Sequence, residues 1–343
     1  MHAMKKSSMP TMKDVAKACG VAESTVSRVL NGTKFVTPET RAIIERALQE
    51  MNFHRDSHAR RLARGRSDFV GLVISDIENP FYPGLIKSFE SAALMHGYEV
   101  LLCTTNYDPA RTEHVFRRMI ENKSPGVAVM TSRVDGLIAE RLAVHGIASV
   151  FLDSDGPGRR KSNIRLDYAQ GAGEAVRYLH TLNHRRFALI AGPQNRASHS
   201  AYRRAVESEL KKLGLKPQIV EGNNDAIAGA SAAERLLTLP EPPTAVLCSN
   251  DLTALGAVRA FLRCGLNVPQ DISVVGADDI PMAALSYPPL TTVRIPREKL
   301  GTLAMDILHE MLGSSRRAGG ESRLMTGLVI RESTGPARKV HSK

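Results

Sequence analysis

The chain has 343 residues, of which 43% are hydrophobic and 24% are charged, and its formal net charge is +11. This length favours two or three structural units, and the composition is that of a folded protein. No segment approaches the roughly 18 consecutive apolar residues of a membrane span, and no apolar stretch follows the basic N-terminus MHAMKKSSMP. We therefore expect a cytoplasmic protein with neither a membrane span nor a signal peptide.

The four cysteines are scattered and form no CxxC pair: Cys19, Cys103, Cys248 and Cys264. This spacing argues against a disulfide framework and against a structural zinc site. We expect reduced thiols that serve as small core residues.

The positive charge is concentrated near the N-terminus. Residues 1–66 hold 13 lysines and arginines against 6 acidic residues, so +7 of the +11 lies in less than a fifth of the chain. A solvated basic face would account for such a surplus, but its clustering favours a polyanionic partner.

Three short amphipathic helices are predicted between Thr11 and Phe53. Gly20 separates the first two, which is typical of a helix-turn-helix, and Thr37-Pro38 starts the third with a capping residue followed by proline. The apolar positions that would close a three-helix core are Val15, Ala16, Cys19, Val26, Val29, Leu30, Ile44, Ala47, Leu48 and Met51. The opposite face of the second helix carries hydrogen-bonding side chains.

The segments KDVAKACGVAESTVSRVLNG and FVTPETRAIIERALQEMNF resemble the DNA-binding domain of the LacI/GalR repressor family. The resemblance implies that residues 11–56 form this domain after a flexible N-terminus at 1–10, and that Glu23, Ser24 and Arg28 contact base edges of operator DNA. It also implies phosphate contacts by Thr25, Ser27, Asn31, Thr37 and Thr40. Arginine can donate two hydrogen bonds to guanine, whereas hydroxyls near helix ends suit phosphate oxygens. Ala22 departs from the capping serine that is common in the family.

The basic stretch FHRDSHARRLARGR at residues 53–66 resembles the hinge of the same family. The resemblance assigns the hinge to residues 57–66, with Leu62 entering the minor groove and Arg60 and Arg61 holding phosphates. A helix this short is marginal alone in water, so we expect it to order on DNA. A flexible linker is the alternative, since Arg55 and His58 replace the family's usual proline and valine.

From Phe69 onward, short apolar runs alternate with amphipathic helices, which is typical of doubly wound α/β layers. The runs are FVGLVIS, YEVLLCTT, GVAVMT, ASVFLD, FALIAG, TAVLCS and ISVVGAD. The polar break DGPGRRKSNI divides the series into two halves. We expect two similar subdomains with a cleft between them, as in periplasmic sugar-binding proteins.

The family resemblance continues through ENPFYPGL, CSNDLTALGAVRAF, VPQDISVVGADD and PPLTTVRIP, and so covers nearly the whole chain. It implies an all-α helix-turn-helix domain joined to a periplasmic-binding-protein-like α/β sensor at residues 67–335. By the family's topology, the N-subdomain spans 67–163 and 295–323, and the C-subdomain spans 164–294 and 324–335. The tail at 336–343 lacks heptads, which favours a homodimer over a tetramer.

The family pattern also suggests an effector site, because strand ends in α/β layers converge on the cleft. Its implied residues are Phe81, Tyr82, Asp153, Arg196, Asn250 and Asp278. Arg196 is included because Ser198 stands where the family usually has an arginine before a Gly-Phe pair, here Ala201-Tyr202. Aromatic faces and carboxylates suit a sugar, with Asp278 and Asn250 gripping vicinal hydroxyls while Asp279 has a structural role.

Two other patterns resemble functional motifs without completing them. Gly171-Ala-Gly173 lacks the third glycine of a dinucleotide site, so we expect it to serve helix packing. His180 and His184 lack further metal ligands, and we expect them on the surface. With no catalytic motif, we expect no enzyme activity, cofactor or metal. The alternatives, a solute-binding receptor or a sugar-modifying enzyme, do not account for the N-terminal domain.

Overall fold

The computed structural model describes residues 10–30, 32, 35–53, 67–131, 136–313 and 319–338. The chain divides into two units, residues 1–66 and 67–343. The expectations for residues 1–9, for Asn31 and for the hinge residues Arg60, Arg61 and Leu62 lie outside the described residues.

The N-terminal unit contains three helices: α1 (Met12–Cys19), α2 (Glu23–Leu30) and α3 (Pro38–Glu50). Thr11 and Asp14 form a capping box at the start of α1, in which each side chain accepts a hydrogen bond from the other residue's backbone. Gly20 ends α1 at φ 66°, a left-handed conformation that glycine adopts without strain. Thr37 caps α3 and Pro38 takes its first turn, so the local signals seen in the sequence set the helix boundaries.

The predicted three-helix core is confirmed. Five of its side chains are fully or almost fully buried: Val15, Ala16, Val26, Val29 and Ile44. The remaining predicted residues pack around them in part: Cys19, Leu30, Ala47, Leu48 and Met51. This small core fixes α2 against α1 and α3 and leaves the polar face of α2 open.

The second unit begins with a half built on a six-stranded sheet in the order β11-β5-β4-β3-β1-β2, in which every neighbouring pair is parallel. Its elements are β1 (Phe69–Ile74), α4 (Tyr82–Met95), β2 (Glu99–Thr104), α5 (Pro109–Glu121), β3 (Gly126–Met130), α6 (Gly136–Val144), β4 (Ala148–Leu152) and β5 (Lys161–Asp167). Helix α12 (Arg297–Gly313) and strand β11 (Glu321–Met325) complete it. Apolar side chains of α4 and α12 cover one face, and those of α5 and α6 the other.

The other half carries a second six-stranded sheet in the order β12-β10-β9-β8-β6-β7, in which the β10–β12 pair is antiparallel. Its elements are α7 (Tyr168–Thr181), β6 (Phe187–Ala191), α8 (Ala197–Lys212), β7 (Pro217–Glu221), α9 (Ala226–Leu237), β8 (Ala245–Cys248), α10 (Asp251–Arg263), β9 (Ser273–Asp278), α11 (Pro281–Leu285), β10 (Thr291–Arg294) and β12 (Gly327–Val329). We call the halves the first subdomain (67–167 and 297–325) and the second subdomain (168–294 and 327–335).

The chain crosses between the subdomains after Asp167, again between Arg294 and Arg297, and a third time at Thr326. The first crossing therefore comes four residues later than the expected boundary at 163. The reason is that strand β5 pairs with β4 and β11 along its length. Buried polar residues such as Asn163, whose amide bonds to Ser154 and Glu321, hide this strand from an apolar pattern.

Two further expectations are corrected by packing. His184 is 1% exposed, and its ring nitrogens lie 3.0 Å from the Thr244 hydroxyl and 3.0 Å from the Gly335 carbonyl, so it is a buried histidine and not a surface one. Cys248 is buried, but Cys264 is exposed, so the expectation of four core cysteines is wrong. Gly171 does serve helix packing, because a Cβ there would lie 2.5 Å from a Val293 methyl group. In the part of the chain that is described, no helix is both long and apolar enough to cross a membrane.

Helices α9 and α10 pack with unusually close backbones, and glycine makes this approach feasible. A Cβ on Gly256 of α10 would collide with the Ala226 carbonyl, and one on Gly229 of α9 would collide with the Thr253 carbonyl. Backbone atoms cannot move aside as a flexible side chain can. These two glycines therefore set the distance between the helices.

We expect Gly256→Ala to lower the free energy of unfolding by about 1–3 kcal/mol, because the added methyl group forces α9 and α10 apart. Urea denaturation of the full chain measures this loss. Gly136→Ala is the matched control, since the added Cβ meets no described atom within 4 Å beyond its chain neighbours and its own helix backbone. Equal stability of the two variants would show that the close approach is not needed.

Candidate functional site

The candidate DNA-reading surface is the outer face of α2. Glu23, Ser24 and Arg28 are exposed, whereas Thr25 and Ser27 are half-buried. The base-reading and phosphate-contacting roles expected for these residues stay predictions. Val26 and Val29, on the opposite face, anchor the helix to the core.

Thr37 and Thr40, which were expected to contact phosphates, bond to each other at the start of α3. The Thr37 hydroxyl donates to the Thr40 hydroxyl at 3.0 Å and accepts from the Thr40 amide at 3.4 Å. Thr37 is exposed. Its hydroxyl therefore stabilises the helix start and lies at the surface next to the backbone amides of the first turn.

A cavity lies in the second unit where the carboxyl ends of the two sheets face each other. The space between its lining residues is about 640 Å³ when the open solvent at its mouth is included. The first subdomain contributes Asn79, Phe81, Tyr82, Tyr107, Met130, Leu152 and Leu166. The remaining lining residues come from the second subdomain and the crossings: Tyr168, Ser198, His199, Tyr202, Asn224, Ser249, Ala277, Asp278 and Ile295.

Asp278 is the acidic residue of the cavity wall. It ends strand β9 with φ 113°, a conformation that residues other than glycine rarely adopt. No described residue donates a hydrogen bond to its carboxyl group, and burial, followed by repulsion from Asp251, raises its pKa well above the ordinary value. A carboxyl group that is partly shielded from water and accepts no hydrogen bond is costly, and a ligand that donates a hydrogen bond to it would offset this cost.

Two acidic residues, Asp251 and Asp279, hold the turn that follows β9 in place. Asp251, fully buried at the start of α10, accepts from the Thr292 hydroxyl at 2.5 Å and from the Ile280 amide at 2.8 Å. Asp279 forms ion pairs with Arg294 at 2.7 Å and Arg331 at 2.6 Å. Asp279 thus has the structural role expected from the sequence, and Asp278 is left to face the cavity.

Phe81 and Tyr82 form the aromatic wall on the other side. Their rings meet edge to face with centroids 5.2 Å apart. The Tyr82 hydroxyl donates to Ser75 at 3.0 Å, and Ser75 donates to Thr131 at 2.8 Å. This chain of hydrogen bonds fixes the ring that the cavity presents to a ligand.

A chain of hydrogen bonds on the second subdomain joins Ser249, Asn224 and His199, and the sequence did not predict it. We call it the Ser249–Asn224–His199 relay. The Ser249 hydroxyl donates to the Asn224 side-chain oxygen at 2.9 Å, and the Asn224 amide nitrogen contacts Nε2 of His199 at 2.6 Å. Burial, and then the nearby charge of Arg196, lowers the pKa of His199 to about 4. The imidazole is therefore neutral, with Nε2 accepting from Asn224 and Nδ1 carrying the proton.

Arg196 does not line the cavity but lies at its edge. Its guanidinium carbon lies 3.6 Å from the centre of the Tyr107 ring, a cation–π contact that joins the second subdomain to the first. Tyr107 is itself a lining residue, and it adopts φ 57° directly after Asn106 at φ 48°. Two successive left-handed residues thus direct this ring toward the other subdomain.

Asn250 and Asp153, both expected to contact a ligand, are engaged by the protein. The Asn250 oxygen caps α10 by accepting from the Thr253 amide, and its nitrogen donates to the Asn224 carbonyl. The Asp153 carboxyl accepts from the Leu166 amide at 2.9 Å and from the Tyr168 hydroxyl at 3.3 Å. Neither residue is part of the cavity lining. Instead, Asp153 bonds to Leu166 and Tyr168, and Asn250 bonds to Asn224, and these three partners do line the cavity.

Of the residues expected at an effector site, Phe81, Tyr82 and Asp278 line one cavity, whereas Asp153, Arg196 and Asn250 surround it. Their roles in ligand binding stay predictions. The lining residues missed by sequence reasoning include His199, Tyr168 and Tyr202. Each of the three lies in a helix that follows a strand. This position just beyond a strand end was the one signal available in the sequence. The described residues contain no cluster of three or more His, Cys, Asp and Glu side chains that could hold a metal ion.

A helix-turn-helix with an exposed polar reading face, joined in one chain to a two-subdomain unit with a cavity between its two sheets, defines a ligand-responsive DNA-binding regulator. Comparisons with known proteins agree. The model of bacterial regulatory proteins of the lacI family matches residues 11–56, and that of a periplasmic binding protein-like domain matches residues 176–334.

Curated relatives extend this likeness over the whole chain. The transcriptional repressor PurR of Edwardsiella ictaluri (strain 93-146) is 32% identical over 333 residues, which cover 95% of this chain and 97% of that protein. The repressor CytR of Escherichia coli (strain K12) is 33% identical over 340 residues, 97% of this chain and 99% of that one. The chain therefore belongs to the LacI family of transcriptional repressors, and it is not an enzyme.

Solved structures support the same assignment. The lac repressor dimer bound to operator and the anti-inducer ONPF matches with a TM-score of 0.88 at 27% identity, covering 96% of this chain and 100% of that one. A LacI family regulator from Enterococcus faecium with bound ribose matches with a TM-score of 0.71 at 25% identity, covering 79% and 100%. The expected fold class is thereby confirmed.

The pKa of Asp153 predicts a pH dependence of stability. Burial raises it to about 6, despite the hydrogen bonds from Leu166 and Tyr168. A raised carboxyl pKa means that the folded state holds the proton more tightly than the unfolded state. This contribution is full below about pH 4 and is lost as the pH rises through about 6.

Relative to Asp153→Asn, we expect the wild type to lose up to about 3 kcal/mol of unfolding free energy between about pH 4 and 7, and to show no further change above that range. Urea denaturation at several pH values measures the difference. Asp155→Asn, at an exposed neighbour, is the control. A difference between wild type and Asp153→Asn that is constant with pH would contradict the raised pKa.

Proposed function

We propose that this protein is a homodimeric cytoplasmic repressor that reads a pseudo-palindromic operator through α2 and changes its operator affinity when a neutral, hydroxylated small molecule, most simply a sugar, occupies the cavity. Glu23, Ser24 and Arg28 are the proposed base-reading residues. The observation that carries the ligand class is the carboxyl group of Asp278, which lines the cavity and accepts no hydrogen bond from any described residue.

The cavity chemistry favours hydroxyl groups. Aromatic rings of Phe81, Tyr82 and Tyr168 offer faces for the apolar side of a sugar ring, while Asp278 and the Ser249–Asn224–His199 relay offer acceptors and donors. The lining residues include no lysine or arginine. The charge of Arg297 acts on Asp278 from outside the lining, so the wall itself offers no cation to contact an anionic ligand, which argues against phosphorylated sugars.

The route from ligand to DNA follows from where the lining residues lie. Because the cavity walls belong to different subdomains, a ligand that contacts both has a different affinity for each relative pose of the subdomains. A ligand shifts a conformational equilibrium only through such a difference. The contact of Arg196 with Tyr107 spans the same cleft and adds to the balance between poses.

A second copy of this chain is the proposed partner. Leu285 is 84% exposed and Tyr287 is 88% exposed, and Tyr287 lines a groove with Leu262 of α10. The matched lac repressor structure is described as a dimer bound to operator. Two-fold symmetry of the protein would match a pseudo-palindromic operator, with one α2 helix in each half-site.

The ligand proposal is tested with Asp278→Ala. A thermal-shift screen of monosaccharides, nucleobases and phosphosugars identifies binders of the wild type, and calorimetry compares the variant. We expect neutral sugars among the binders and a loss of about 1.5–3 kcal/mol of binding free energy in the variant, because one charge-assisted or buried hydrogen bond is lost. Operator binding without ligand is expected to remain normal. Asp155→Asn serves as the control, and full affinity and response in Asp278→Ala would remove Asp278 from the site.

The DNA-reading proposal is tested with Arg28→Ala on an operator selected from random duplexes by the wild type. We expect a loss of about 1–3 kcal/mol on the selected operator and a much smaller loss on random duplex, because the side chain reads bases. Arg46→Ala removes the same charge from an exposed position of α3 and is the control. Equal losses of Arg28→Ala on both kinds of DNA would contradict a base-reading role.

A further inference from the structure

The guanidinium group of Arg196 has its partner in the other subdomain. Its central carbon lies 3.6 Å from the centre of the Tyr107 ring, so the cation stands over the face of the ring. Arg196 is half-buried and directly precedes α8, but its side chain makes no capping hydrogen bond there. No described residue forms a hydrogen bond or an ion pair with the guanidinium group. Tyr107 is therefore the described residue that holds this charge in place.

The backbone at Tyr107 has an uncommon conformation. Asn106 and Tyr107 have φ angles of 48° and 57°, and a bulky side chain such as that of tyrosine is rare in the left-handed region. The Asn106 amide donates to the Ser75 carbonyl at 2.6 Å, which ties the turn to the end of β1. A strained turn of this kind persists only where its surroundings hold it. The contact of the ring with Arg196 is one of these restraints.

The two residues belong to loops of different subdomains. Tyr107 lies between β2 and α5 of the first subdomain, and Arg196 lies between β6 and α8 of the second. Neither residue adjoins one of the three crossings of the chain, so a rotation of one subdomain against the other about these crossings separates the two loops. A cation–π contact weakens once the charge lies beyond about 6 Å from the ring. The contact therefore stabilises the pose in which the structure shows the subdomains.

We propose that the Arg196–Tyr107 contact is a latch that stabilises this pose in the ligand-free protein and thereby sets its operator affinity. This inference rests on the proposed function and deepens it, because it names a regulatory contact within the protein. An interaction that exists in only one of two states shifts the equilibrium between them. A cation–π contact at a partly exposed position shifts it roughly two- to fivefold. The ligand then acts on an equilibrium that the latch has already biased.

Hydrogen exchange of the full-length, ligand-free protein, followed by mass spectrometry, tests whether the latch holds the loop. We expect Arg196→Gln to raise the exchange rate of the loop around Tyr107, in the other subdomain, at least about twofold, because the strained turn opens more often once the ring is released. Arg204→Gln removes the same charge from an exposed position of α8 and is the matched control. Equal exchange of this loop in Arg196→Gln and the wild type overturns the latch.

Titration of the selected operator without ligand tests the regulatory role through a double-mutant cycle. Arg196→Gln and Tyr107→Leu break one contact from opposite subdomains. We therefore expect both to change the dissociation constant in the same direction and by a similar factor, roughly two- to fivefold, and the double variant to change it no further. Arg204→Gln is expected to match the wild type.

Four results of this titration overturn the proposal: wild-type affinity in both single variants, changes in opposite directions, factors that multiply in the double variant, or an equal change in Arg204→Gln. These outcomes are separate from those of the proposed function. If the wild type binds no sugar, the proposed ligand class is refuted and the latch is still decided, since neither arm uses a ligand. If the wild type selects no operator, the proposed function and the regulatory role of the latch fail together.

Discussion

The geometry of the ligand cavity depends on the buried carboxyl group of Asp251. One oxygen accepts from Thr292 on β10 and the other from the backbone amide of Ile280 just after β9, so a single side chain ties two strand ends to the start of α10. Burial raises the pKa of Asp251 to about 7, and the two hydrogen bonds act in the opposite direction. Gly276 makes room for this carboxyl group, since a Cβ there would collide with it.

The turn after β9 places its two acidic residues, Asp278 and Asp279, in opposite electrostatic environments. Asp279 is paired with two arginines, and its pKa is lowered by them against the effect of burial. Asp278 has a left-handed backbone, and no described residue donates a hydrogen bond to its carboxyl group. A conformation of this kind costs on the order of 1–3 kcal/mol and persists only where the surroundings hold it. A ligand that donates a hydrogen bond to Asp278, as proposed above, would recover part of this cost.

The cavity is suited to regulation because its walls belong to two subdomains, which three crossings of the chain connect. The side chains of each wall lie at strand ends or in the segments that follow them, and the two walls belong to different sheets. Ligand contacts to both walls therefore favour a particular pose of one sheet relative to the other. The cation–π contact of Arg196 with Tyr107 is a direct side-chain contact across the cleft, so protein and ligand act on the same equilibrium.

Features that depend on near neighbours in the sequence were determined by it: the capped helices at Thr11 and Thr37, the core stripe of the N-terminal unit, and the apolar strands. Tertiary structure decided which polar side chains remain available. Asn250 looked like a ligand contact, but it caps α10 and bonds to Asn224. The sequence singled out no role for the hydroxyl of Tyr202, which is buried without a hydrogen-bond partner among the described residues. A side chain is free for a ligand only if no distant residue satisfies it first, and that depends on contacts between segments far apart in the sequence, which local patterns do not encode.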